Sequence, residues 1–161
     1  MSVSSPSENQ LEVGARQRWL AVLTKAPTAR LEAAWNALDE KPEYRVLRRG
    51  ETGLVMVRGR IGGNGQPFNF GEMTMTRAAV QLLDRAGDVT QTGFGHVAGR
   101  SVRRAELVAL FDAMLQQPAR RAELARRIIE PLAAEQDAAK TAWTAKVMAS
   151  KVDFFTMVRG E

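Results

Sequence analysis

At 161 residues, the chain is sized for one domain and can bury a core without a disulfide or metal staple. It has no cysteine and a single histidine, His96, which excludes disulfides, zinc–thiolate sites, iron–sulfur clusters, thiol nucleophiles and any multi-histidine metal site within the chain. The net charge of +5 admits a polyanionic partner. The excess is arginine spread along an alanine-rich chain rather than massed in a tail, which argues against a dedicated nucleic-acid surface.

The opening MSVSSPSENQ has no basic start followed by an apolar core, and no apolar run approaches the ~20 residues that cross a bilayer. A cytoplasmic protein without a membrane anchor is expected. Eleven of the 13 glycines lie between Gly50 and Gly99, where only four of the 24 alanines fall. Alanine favours helix and glycine weakens it, so the flanks should be helical and the centre sheet.

Ser7 and Gln10 form a capping-box pattern, and Leu11, Ala15, Trp19, Val22 and Leu23 recur at helical spacing. After Pro27, Leu31, Trp35 and Leu38 continue on a second helix that stops before Pro42. Tyr44 and Val46, then Leu54 to Arg58, read as two strands joined by a turn around Arg49-Gly50-Glu51. Ile61 to Gly65 is a loop, and Phe68 to Leu82 extends the β pattern, although Thr76–Leu83 also fits a short helix. A turn at Ala86-Gly87-Asp88 precedes a strand over roughly Gln91 to Ala98. Ser101 is placed to cap a helix carrying Leu107, Leu110, Phe111, Met114 and Leu115, ended by Pro118. Leu124 and Ile128 lie on the next helix, and Pro131 opens another with Leu132, Ala139, Trp143 and Val147 on one face.

The expected architecture is therefore α+β, an antiparallel sheet of about four strands flanked by N- and C-terminal helices. One domain spans 1–161: helical over 7–40, mostly strands over 43–99, helical over 101–149, and an apolar tail over 150–161.

Gly93-Phe94-Gly95-His96-Val97-Ala98 matches the spacing of a dinucleotide fingerprint but lies in a strand, with no parallel βαβ unit around it. It reads instead as a glycine-weakened strand against which something packs closely. Gly62-Gly63-Asn64-Gly65, preceded by Arg58 and Arg60, reads as a hairpin connector before it reads as a phosphate cradle. His96 titrates near neutrality but has no nucleophile signature beside it, so a packed or surface-lining role outranks catalysis. Trp19, Trp35 and Trp143 sit on apolar helical stripes as core or interface anchors. Asp84 and Asp88 fit solvated turn chemistry better than magnesium binding. The arginines between Arg100 and Arg127 alternate with Glu106, Glu123 and Glu130, the pattern of a solvated helix face with weak intrahelical pairs.

The tail Lys151 to Glu161 carries five large apolar side chains. Burying each is worth about 1.5–3 kcal/mol, so the chain's own body or a partner must cover them. Two aromatics and an arginine in so short a segment favour a partner, making Val152, Asp153, Phe154, Phe155, Met157 and Arg159 the interface candidates.

Glu51-Thr52-Gly53-Leu54-Val55, Arg60 to Gly65, Thr74 to Val80, Gly99-Arg100 and Val152 to Gly160 together resemble the PhnG family of the carbon–phosphorus lyase system. The resemblance runs from the first helix to the last residue. It departs at His96, where the family often has an aromatic residue nearby, and at Ser101, where it often has Asp. It implies phosphonate catabolism, with the family subunit joining PhnI, PhnH and PhnL in displacing adenine from MgATP by a phosphonate, and belonging to a core assembly with PhnJ. The product is a ribose 1-phosphonate 5-triphosphate. It carries no catalytic residue onto this chain, and no cofactor or metal: MgATP is a substrate of the complex. Arg58, Arg60, Arg77 and Arg159 lie within the resembling motifs as anion or interface contacts. The rival readings are a nucleotide-binding enzyme using His96 and a small basic RNA-binding module. The second lacks the aromatic pattern of a base-stacking sheet.

Overall fold

The computed structural model describes residues 6–150. Two helices, α1 (Pro6–Leu23) and α2 (Thr28–Asn36), precede three strands, β1 (Tyr44–Arg60), β2 (Pro67–Leu83) and β3 (Val89–Ala98). Then follow α3 (Val102–Leu115), α4 (Pro118–Leu124), a π-helical turn (Ala125–Ile129) and α5 (Glu130–Ala149). The sheet is antiparallel in the order β1-β2-β3.

The α+β architecture is as expected, with three strands where about four were anticipated. The difference lies at Arg49-Gly50-Glu51. The chain does not reverse there: β1 runs through, and its pairing with β2 slips between Val46 and Arg48 and again between Arg48 and Glu51. A charged, glycine-containing run signals interrupted pairing, and a bulge interrupts pairing as well as a turn does. Gly50 is required at this bend, because a Cβ there would lie 2.4 Å from Val102 Cγ1 at the start of α3. Thr76–Leu83 is strand, within β2.

The core forms where α3 crosses one face of the sheet. On β2, Thr76, Ala78, Val80 and Leu82 alternate inward, facing Val97, Gly95 and Gly93 of β3. The two glycines let α3 approach the strand backbone directly. A Cβ at Gly93 would meet Ala109 O at 1.9 Å, and one at Gly95 would meet Ala105 O at the same distance. Their spacing therefore serves helix–strand packing, as read from the sequence. Trp19, Leu23, Leu31 and Trp35 close the core from α1 and α2, with Trp35 edge-on to Phe111 at 6.3 Å.

Local chemistry accounts for the element ends. Ser101 caps α3, its hydroxyl accepting from the Arg104 N–H at 3.3 Å. Pro118 opens α4 at its first turn. Asp84 Oδ1 accepts from the N–H groups of Ala86 and Asp88, both at 2.9 Å, which makes the β2–β3 turn an Asx-type turn. The Ser7 side chain lies outside the described residues, as does the tail with Val152, Asp153, Phe154, Phe155, Met157 and Arg159.

Several of the helical arginines reach further than expected. Arg127 pairs with Glu123 within its helical segment but also with Asp39 beyond α2, and Arg103 reaches Glu32, Arg120 Glu40 and Arg121 Glu12 on other segments. Sequence spacing shows only neighbours on the same helix, so these ties between elements were not visible in it. Among the described residues, no helix is long and apolar enough to cross a membrane.

Candidate functional site

Among the described residues, the helices cover one face of the sheet and leave the other open. Across the open face Glu51, Arg77 and His96 occupy directly opposed positions on β1, β2 and β3. Arg77 Nε donates to Glu51 Oε1 at 2.6 Å, and Arg48 Nη1 donates to the same oxygen at 2.7 Å. These bonds, that from Arg48 first, hold the Glu51 carboxyl below the usual glutamate range. With two guanidiniums on one carboxylate, the cluster keeps a net positive charge. A recess of about 510 Å³ opens beside the row, walled by Thr52, Gly53, Leu54, Val55 and Met75 as well as by the three charged or titratable side chains.

Beneath the row, three of the motif segments quoted above meet. Thr76 is fully buried, and its hydroxyl donates to Gly99 O at 2.6 Å. It thereby accepts from the Thr52 hydroxyl at 2.9 Å. The Glu51-Thr52, Thr74 to Val80 and Gly99-Arg100 segments are thus tied at one point, where β3 ends and α3 begins.

Beyond that point the sheet narrows. Ala98 of β3 pairs with Met75, so β1 and β2 continue alone as a two-stranded arm over residues 54–74. Its tip is the turn Ile61–Gly63, with Gly62 and Gly63 at φ 63° and 81°. Gly53, Val55, Val57 and Gly59 alternate onto the face that carries Glu51, opposite Met75, Met73 and then Phe68. A register slip between Val57 and Arg58 swings Phe70 over Gly59, where a Cβ would stand 2.1 Å from the ring. The Phe68 and Phe70 rings lie 4.4 Å apart. The result is an apolar strip running from Met75 to the tip, with Phe70 still 62% exposed. The other face carries Leu54 and Met56, both exposed, and then Arg58 and Arg60.

Of the four arginines singled out as anion or interface contacts, Arg159 lies outside the described residues and, of the rest, the fold brings only Arg77 to the recess. Arg58 lies seven residues beyond Glu51 along β1, about 23 Å at ~3.3 Å per residue, and Arg60 lies further still. His96 is exposed and lines the recess, the surface position expected for it. Trp19 and Trp35 are core residues. Trp143 is 69% exposed, with Val147 and Met148 exposed beside it on α5, so among the described residues its helical stripe joins the core at Leu132 and leaves it before Trp143.

Asp112 was not singled out from the sequence. It is fully buried, and its carboxylate accepts from Arg16 Nε at 3.0 Å, Arg16 Nη2 at 2.6 Å, Trp19 Nε1 at 2.9 Å and the Phe94 N–H at 3.0 Å. It joins α1, α3 and the outer edge of β3. The available signal was a lone acid inside the apolar run Leu107 to Leu115, since such a charge stays buried only when paired.

The family model described as phosphonate metabolism protein PhnG matches residues 14–160. A curated relative, the alpha-D-ribose 1-methylphosphonate 5-triphosphate synthase subunit PhnG of Rhizobium meliloti (strain 1021), is 43% identical over 161 residues. The match covers 100% of this chain and 99% of the relative.

Proposed function

The chain belongs to the PhnG family of phosphonate-metabolism proteins, and from that membership we propose that it serves the carbon–phosphorus lyase system as a non-catalytic subunit. In this reading it supports the displacement of adenine from MgATP by a phosphonate, giving ribose 1-phosphonate 5-triphosphate, in an assembly with PhnI, PhnH, PhnJ and PhnL. The observation that carries it is the match to a synthase subunit along the whole of both chains. MgATP enters as a substrate of the assembly, and no cofactor is assigned to this chain.

The geometry supports a role by association. Trp143, Val147 and Met148 leave an apolar patch on α5, and the sequence continues from it into Val152, Asp153, Phe154, Phe155, Met157 and Arg159. We assign this stretch to the contact with PhnI, where aromatic and arginine side chains act as anchors. Arg77 is the arginine beside a recess, and an anion there would share its guanidinium with Glu51.

Deletion of residues 152–161 tests the assignment. The described core runs from Trp19 to Leu132, so the shortened chain should fold normally yet fail to co-purify with PhnI. Full assembly of the shortened chain would refute it. Replacing His96 by Ala in the reconstituted system should leave adenine release undiminished, whereas its loss would favour an enzyme reading built on the recess.

A further inference from the structure

A glycine inside a strand weakens it, and marks a bulge, a bend or a place where a ligand or another backbone comes close. Most strand glycines here have their reason within the chain. A Cβ at Gly50 would meet Val102, one at Gly59 the Phe70 ring, and those at Gly93 and Gly95 the backbone of α3, while Gly71 stands at φ 146°. Gly53 has no such reason. It lies in unbroken register between Thr52 and Leu54, opposite Met75, with no positive φ. No atom of the described chain comes within 4 Å of the place its Cβ would take. Among the described residues it is the one glycine with neither a positive φ nor such a neighbour. A β-branched residue would fit there and suit the strand better.

The space that this glycine leaves is the floor of the recess beside Glu51, Arg77 and His96. On one side of Gly53 stands that charged row; on the other, Val55 and Met75 form an apolar wall. Glu51 offsets one of the two guanidinium charges of Arg48 and Arg77 and leaves the other. Arg77 spends Nε on Glu51, and among the described residues its terminal nitrogens donate to nothing. A surplus of positive charge disfavours a cation, and the planar fork of an arginine matches the oxygens of a phosphate-type group. The volume, about 510 Å³, is that of a small-molecule site, and its apolar wall suits a carbon group rather than a bare inorganic ion.

We propose that the recess binds a phosphonate or phosphate dianion bearing a carbon group, with its oxygens on Arg77 and Arg48 beside His96 and its carbon group over Gly53, against Met75 and Val55. The site stands on the geometry; the choice of a phosphorus oxyanion over a carboxylate rests on the phosphonate reading above. Gly53 then has its reason, since a side chain there would occupy the place of the ligand.

The full chain, isotope-labelled and titrated with phenylphosphonate in an NMR experiment, tests the proposal. Saturable shifts are expected at Glu51 to Val55, Met75 to Arg77 and His96, with a millimolar dissociation constant. Gly53→Val and Arg77→Gln should each weaken binding roughly tenfold or more, and Arg58→Gln, remote on β1, should change it less than about twofold. The added side chain of Gly53→Val enters open space, so that variant should melt at or above the parent's temperature; a clear fall would make the glycine a requirement of the fold and overturn the argument. Adenosine monophosphate, titrated in the same way, distinguishes the source: tighter binding than phenylphosphonate assigns the site to a nucleotide, weaker binding to the phosphonate. Inorganic phosphate or benzoate bound as tightly as phenylphosphonate would overturn the ligand class. No saturable shift with either organic probe, or equal losses from Arg58→Gln and Arg77→Gln, would overturn the site. These outcomes leave the subunit reading intact, since that reading fails on a different result, a chain that joins no other subunit.

Discussion

Replacing Asp112 by Ala should be the most damaging single side-chain truncation in the body of the protein. The carboxylate is fully buried, and its removal strips partners from Trp19 Nε1, the Phe94 N–H and both donating nitrogens of Arg16. Breaking a buried ion pair from one side costs about 3–5 kcal/mol. At this chain length each kcal/mol moves the melting temperature by roughly 2–4 °C, so a fall of roughly 6–20 °C is expected. Asp112→Asn keeps an acceptor oxygen but turns an amide N–H2 towards donors, and should fall between the parent and Asp112→Ala. Arg16→Ala should be much less costly in the Asp112→Ala background than in the parent, because its partner is already gone. Urea denaturation of the full chain and its variants measures all of these. An Asp112→Ala variant within about 1 kcal/mol of the parent would refute the view that this carboxylate holds α1, α3 and β3 together.

Gly95→Ala sets a methyl against Ala105 O at 1.9 Å, so α3 must lift from the sheet; a loss of at least 1–3 kcal/mol is expected in denaturant, and unchanged stability would show that α3 does not pack as described. Thr76→Val leaves Gly99 O without its donor and should cost about 1–3 kcal/mol, read in the same assay. Glu51, held below the usual glutamate range by Arg48 and Arg77, should titrate there in a carboxyl-detected NMR experiment. Its depressed native value means that its modest contribution to stability is present above the ordinary carboxylate range and fades as pH falls through the native value. Arg48→Ala should move the midpoint back up, and a parent midpoint at or above the ordinary range would contradict the pairing. Trp143→Ala, at a 69% exposed position, should leave stability within about 0.5 kcal/mol of the parent while weakening association with PhnI in a pull-down.

The helical flanks and the strand content could be read because alanine, glycine and the apolar periodicities agree there with what the tertiary structure rewards. The glycines of Gly93-Phe94-Gly95 were legible for the same reason: a strand that gives up side chains has to be approached by something, and α3 does so. The bulge at Gly50 was read as a turn because both features break pairing and only the third dimension separates them. Trp143 illustrates a different limit. Its helical spacing with Val147 reports an apolar face correctly, but spacing cannot say whether the face is covered by this chain or left open. Asp112 and the Thr52–Thr76–Gly99 chain depend on residues far apart in sequence, and a single sequence holds no trace of such pairings beyond an acid placed among apolar neighbours. The arm is not legible in the sequence because Phe68, Phe70, Met73 and Met75 have the pattern of ordinary strand residues, and only the tertiary structure shows that β3 stops short of most of them.

The central claim is that this chain contributes to phosphonate activation by association and performs no chemistry alone. Adenine release from MgATP and a phosphonate, measured as the purified chain is titrated into the remaining subunits, tests it directly. The account predicts no release by the chain alone at any concentration, and activity in the mixture that rises to a plateau at a fixed ratio of subunits. Sustained adenine release by the isolated chain, or full activity of the other subunits in its absence, would contradict it.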